Sequence, residues 1–181
     1  MDVDAISTAV REVLTGTLGS VRTVTAGKFE ENVHDESSDA EMWLRGRSGT
    51  AGALQAQADV RIGTARQTGW AGPPSANITV WVLPLEVGLY YAAQPYGDLV
   101  TSRRYLIRAQ AAEDAVTVTQ ALTWPGNLTA TAAAAATGIV SGILQPRGEP
   151  VVEREEWTDE VGLLVLAIPF DAWIQESQAV A

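Results

Sequence analysis

VGLLVLAIPFDAWI, residues 161–174, carries no polar side chain between positions 161 and 170. The run is too short for a membrane-spanning helix, which needs about 20 apolar residues. A strand covered on one face alternates apolar with polar side chains, whereas consecutive apolar positions predict a strand covered on both. The chain is therefore expected to close on such a strand, with its cover supplied from elsewhere in the sequence.

Working back from it, residues 139–145 and 151–157 read as the two arms of a hairpin around Pro146-Arg147-Gly148-Glu149-Pro150. Residues 127–138 are rich in alanine and threonine and fit a loop or a weak helix. Residues 111–124 read as a helix with Ala112, Ala115, Val116, Thr119 and Leu122 on one face and Glu113 and Asp114 in its first turn. The β-branched run Val116 to Thr119 speaks for strand instead, and the helix reading is preferred. Residues 78–91 are β-branched and aromatic, with Pro84 as a bend or edge position. The turn at 94–98 leads into a returning strand at 99–109, and 58–62 is a further strand. Trp70 and Pro73-Pro74 place 69–75 in a loop. At the other end, Val3, Ile6, Val10, Val13, Leu14 and Leu18 recur at spacings of three and four, an amphipathic helix capped by Asp2 or Asp4 and ended by Gly16 and Gly19. A strand follows at 21–25. Residues 27–57 are a long loop or arm: acidic up to Glu41, then rich in Gly, Ala, Ser and Gln. The whole is expected to be a single α+β domain spanning 1–181, with an antiparallel or mixed sheet and two helices packed on one face.

Composition narrows function. The chain has 181 residues, no cysteine, a single histidine and a net charge of −10. Thiolate nucleophiles, disulfides and Cys-based zinc sites are excluded. Strong acidity disfavours general nucleic-acid binding. Eleven of the twelve basic residues are arginine, which suits planar contacts to carboxylates. His34 lies in the acidic loop beside Asp35 and Glu36, a poor place for a rigidly held catalytic base. Glu30, Glu31, His34, Asp35, Glu36 and Asp39 match no metal-loop spacing. Glu153, Glu155 and Glu156 sit in polar context, where a catalytic pair needs one buried carboxyl with a raised pKa. No phosphate-cradling glycine loop and no nucleophile elbow occurs. The sequence implies no cofactor, no metal, no membrane segment and no enzyme.

Binding signals are stronger. Residues 27–41 and 149–160 hold twelve of the 22 acidic residues. Glu30, Glu31, Asp35, Glu36, Asp39, Glu153, Glu155 and Glu156 are candidate members of an acidic patch or channel lining, against which DNA passes but is repelled. Arg103, Arg104 and Arg108 on one strand, with Arg45 and Arg47 in the arm, are candidate contacts to such patches on a neighbouring subunit. Trp43, aromatic in a polar arm, is a candidate anchor for a partner's pocket. Trp70, Trp81 and Trp124 are expected to pack the core.

The opening helix Asp4-Ala5-Ile6-Ser7-Thr8-Ala9-Val10-Arg11-Glu12-Val13-Leu14 followed at once by a strand, the long arm, the helix ending Ala121-Leu122-Thr123-Trp124-Pro125, and the closing strand with Phe170-Asp171-Ala172-Trp173-Ile174 form a pattern. As an order of elements it resembles the tail terminator and tail completion (neck) proteins of tailed bacteriophages, small α+β proteins that form rings at the head-proximal end of the tail tube. The resemblance implies a virion structural protein that closes with copies of itself into a ring, hexameric by family expectation. Such a ring stops tube growth and joins the tail tube to the head connector. Ring closure requires heterologous contacts between identical subunits, and the last strand is a candidate to add to a neighbour's sheet edge. The alternatives are another neck, connector or tail tube subunit and, from a different class, a small ligand-binding or hydrolytic α+β domain.

Overall fold

A computed structural model describes residues 2–19, 24–27, 55–72, 78–93, 100–124, 126–135, 139–157 and 162–177. The elements run α1 (Val3–Leu18), β1 (Val24–Ala26), β2 (Gln55–Ile62), β3 (Arg66–Ala71), β4 (Ile78–Ala93), α2 (Val100–Thr123), α3 (Ala132–Ala135), β5 (Ile139–Pro146), β6 (Val151–Trp157) and β7 (Gly162–Ser177). The fold is α+β: one sheet, antiparallel except for the short parallel pairing of β1 with β2, and two long helices on one face.

The sheet is organised by its two 16-residue strands. β4 and β7 pair antiparallel along their whole length, from Ile78 opposite Ser177 to Ala93 opposite Gly162. Each outer edge is then shared end to end by two short strands. β2 covers Leu85 to Ala92 of β4 and β3 covers Ile78 to Val82. On the other side, β6 covers Gly162 to Ala167 of β7 and β5 covers Phe170 to Glu176. A proline stands at each handover, Pro84 in β4 and Pro169 in β7. Proline is normally excluded from central strands because it lacks the N–H that the ladder needs. Here the carbonyl of Pro84 accepts from the Gly63 N–H at 2.8 Å and that of Pro169 from the Arg147 N–H at 2.9 Å. Each proline therefore turns its missing N–H towards the gap between two short strands, where no ladder bond is lost.

Alternation assigns the faces. Leu83, Leu85, Val87, Leu89 and Tyr91 of β4, with Leu164, Leu166, Ile168, Phe170 and Ala172 of β7, join Ile6, Val10 and Leu14 of α1 and Ile107, Ala111, Val118 and Leu122 of α2 in one core. The opposite face of the same strands is also inaccessible at Tyr90, Leu163 and Val165, so the closing strand is covered on both sides as its apolar run predicts. α1 is held at its ends as expected: the Asp2 carboxylate accepts from the Ala5 N–H, and Gly19 at φ 89° donates its N–H to the Thr15 carbonyl.

Several expectations are corrected. The strand expected at 99–109 is not formed over 100–109, because α2 already runs from Val100. The proposed hairpin at 139–157 is not one, since β5 and β6 each pair with β7 and lie end to end along it. Trp70 belongs to β3 rather than a loop. Trp81 packs against the core, but Trp70 and Trp124 are 64% and 68% exposed. The arm cannot reach 57, because β2 opens at Gln55. β7 is paired on both sides, so it offers no free edge to a neighbour's sheet.

Candidate functional site: an apolar groove beside an arginine pair

α2 carries its core residues at positions 107, 111, 115, 118 and 122, the stripe that faces the sheet. The adjoining stripe, Arg108, Ala112 and Val116, points across β7 towards β6 at the sheet edge. Ala111, Ala112 and Ala115 are too small to fill the space between helix and edge strand. The result is a groove of about 530 Å³. Its floor is Leu164 and Leu166, and its far wall is Pro150 and Val152. Most of the lining is carbon.

One end of the groove is charged. Glu155 of β6 accepts from Arg104 Nε at 3.1 Å, from Arg108 Nη2 at 2.5 Å and from the Trp157 indole N–H at 2.5 Å. The Arg104 guanidinium also lies over the Trp157 ring, 5.5 Å from its centroid. Arg104 and Arg108 are one helical turn apart, so both reach the same carboxylate. The hydrogen bond from Arg108, then that from Trp157, with further help from Arg104, hold the Glu155 carboxyl well below its usual 4.5, at about 2.

A second polar network lies on the sheet face away from the helices. Asp59 is 0% exposed. Its carboxylate accepts from the Gly88 N–H at 3.0 Å, the Tyr90 hydroxyl at 2.6 Å and Arg61 Nε at 3.0 Å. Arg61 continues to Tyr90 Oη at 2.9 Å and to Glu153 of β6 at 2.7 Å. Burial, then the bond to Asp59, pushes the Tyr90 hydroxyl pKa up. Burial works against the Arg61 charge, but Glu153, Asp59 and Tyr90 outweigh it and the guanidinium stays protonated. β2 and β6 are separated by β4 and β7, so in a flat sheet their axes would stand about 14 Å apart. The 2.7 Å ion pair between Arg61 and Glu153 therefore reaches across the two intervening strands on this face. Gly88 opposite Ala167 leaves room on this face for the network. Beside it, a hollow of about 500 Å³ at the β2–β3 handover is lined by Arg61, Gly63, Pro84, Glu86 and Arg147. Arg147 there faces Glu86 at 3.7 Å and Asp171 at 4.0 Å.

These networks revise the candidate residues. Arg104 and Arg108 lie on a helix, not a strand, and engage Glu155 of their own chain. Glu153 is taken by Arg61, and Glu156 by Arg154 at 2.8 Å. Glu153, Glu155 and Glu156 of the second acidic stretch therefore each have an arginine partner within the chain. Arg103 lies on α2, but its side chain is outside the described residues, as are Trp43, Arg45, Arg47, Glu30, Glu31, Asp35, Glu36 and Asp39. Sequence reading missed Asp59, Arg61 and Tyr90. Their one legible signal is an aspartate set between Ala58 and Val60 in an apolar strand. It missed the groove as well, because Val152, Val116 and Leu164 meet only in three dimensions. Among the described residues no group of three metal-ligating side chains gathers, and no helix is long and apolar enough to cross a membrane. No protein-family model matches this sequence, and no curated protein matches it either.

Proposed function

We propose that the chain is a structural subunit that assembles with copies of itself into a ring at the head-proximal end of a phage tail. There it would end tube growth and join the tail to the head connector. The observation that carries the self-association is the outward side of α2. Tyr105 and Leu106 stand 72% and 62% exposed on a helix whose opposite stripe is core, and Trp124 follows at its end. Exposed aromatic and aliphatic side chains grouped on one element mark protein contacts. The α+β order of elements supports the tail-terminator form of the reading. Light scattering after size exclusion, with negative-stain imaging, tests it. Rings of one defined size are expected for the wild type and smaller species for Leu106→Asp. A wild type that stays monomeric at tens of micromolar would end the ring reading.

A further inference from the structure

We propose that the groove between α2 and β6 is a binding site for a small amphiphile with an unbranched apolar body and a single anionic head. This does not depend on the ring reading, whose test residue Leu106 lies on a different side of α2 from Arg108, Ala112 and Val116. Size and lining come first. About 530 Å³ lies within the ~300–1,000 Å³ range of small-molecule sites. Ala111, Ala112, Ala115, Val152, Leu164 and Leu166 offer a ligand contact through carbon, as such sites do. The space is larger than any one side chain, and it is elongated because it follows a helix beside a strand.

Charge fixes the polarity of the ligand. At the groove's end two guanidinium groups share one carboxylate, leaving a local excess of one positive charge in a chain whose net charge is −10. Arg108 lines the groove and uses only Nη2 on Glu155, so its Nε and Nη1 make no bond among the described residues. Nε–H and Nη1 lie on different edges of the planar guanidinium, so each offers one charge-assisted donor to a single oxygen of a carboxylate or sulfonate. A neutral chain would bury the same carbon but leave those donors to water.

Calorimetric titration of the full chain with octanoate and with octanol tests the proposal. Saturable binding of one octanoate per chain is expected, with octanol about tenfold weaker, the worth of one charge-assisted contact. Arg108→Gln should bring the two affinities within about twofold of each other, while Arg104 continues to hold Glu155. Ala112→Trp fills the groove from the helix side and should abolish both. Val152→Trp fills it from the opposite wall, so misfolding of one plug does not decide the matter. The proposal is overturned by the absence of saturable octanoate binding, by binding that survives both plugs, or by an octanoate preference that survives Arg108→Gln. It is overturned equally if either plug, without octanoate, lowers the mass in solution, since the groove would then be a contact between copies. Failure of ring formation in the wild type leaves all of these readouts intact.

Discussion

Gly88 is the position where a single methyl group has the largest reach. A Cβ there would fall inside the Asp59 carboxylate and 2.6 Å from Arg61 Nη2. That carboxylate cannot swing aside, because three donors hold it out of contact with water. Gly88→Ala is expected to cost about 3 kcal/mol, from overpacking plus a disturbed buried charge. Gly142 makes the useful contrast: its Cβ would meet Leu128 Cδ2 at 2.7 Å and Ile174 Cδ1 at 3.1 Å, the mobile ends of two aliphatic chains. Gly142→Ala should cost no more than about 1 kcal/mol, and urea denaturation of the two variants checks the order. Tyr90→Phe removes one donor from the buried Asp59 and should cost about 2 kcal/mol by the same measurement. Glu155 gives a pH signature. Its carboxyl is depressed in the folded chain, so its contribution is complete above the ordinary value of 4.5 and disappears as the pH falls towards 2. Wild type should therefore lose stability relative to Glu155→Gln across that window, and equal behaviour of the two would refute the assignment. Arg61 and Trp157 stand two residues from Asp59 and Glu155, but Gly88, Tyr90, Arg104 and Arg108 are far from them in sequence, so the networks were not legible there. Only the residue types hinted that Asp59, an acid between apolar neighbours, needed a partner.

The elements were legible where periodicity was long and unambiguous. α1 shows its stripe over four turns and closes on glycine, and the stretch that became β7 announced cover on both faces. α2 was misread over its first half because Tyr105, Leu106 and Ile107 are consecutive apolar residues that resemble strand. Only Ile107 faces the core, at helical spacing from Ala111. The false hairpin at 139–157 arose from a turn signal that is real. What the sequence did not display is the long third strand on which both arms pair. The prolines allow a test at this scale. Successive residues in a strand turn their N–H groups to opposite edges, so Pro84 faces the gap while Val87 faces β7. Pro84→Ala and Pro169→Ala should shift stability by less than about 1 kcal/mol, whereas Val87→Pro should cost more than about 3 kcal/mol by breaking a central ladder bond. Equal losses would show that the prolines do more than fit their gaps. The register shifts in β3, β5 and β6 belong here too. Bulged edge strands resist pairing with foreign strands, and β6 is charged as well, so assembly of this protein is expected to use side chains of α2 rather than sheet extension.

At the scale of the molecule, the order of elements correctly set the class: an α+β chain with one sheet and two long helices. Counting acids along the sequence cannot reveal that Arg61, Arg104, Arg108 and Arg154 pair with Glu153, Glu155 and Glu156 within the fold. The candidate groove was illegible for a related reason, since it is a space left by alanines on a helix, and a missing side chain has no signal in one dimension. The pairing of β4 with β7 has one further consequence, in time rather than in space. About 70 residues separate the end of β4 from the start of β7. At a synthesis rate of about 5–20 residues per second, β4 emerges roughly 4–14 s before its partner exists. During that interval its apolar stripe and one whole edge are unprotected, and the centre of the sheet cannot form until β7 has been made. A nascent chain stalled before position 162 should therefore remain sensitive to protease and bind chaperones along β4, whatever the helices upstream have already done.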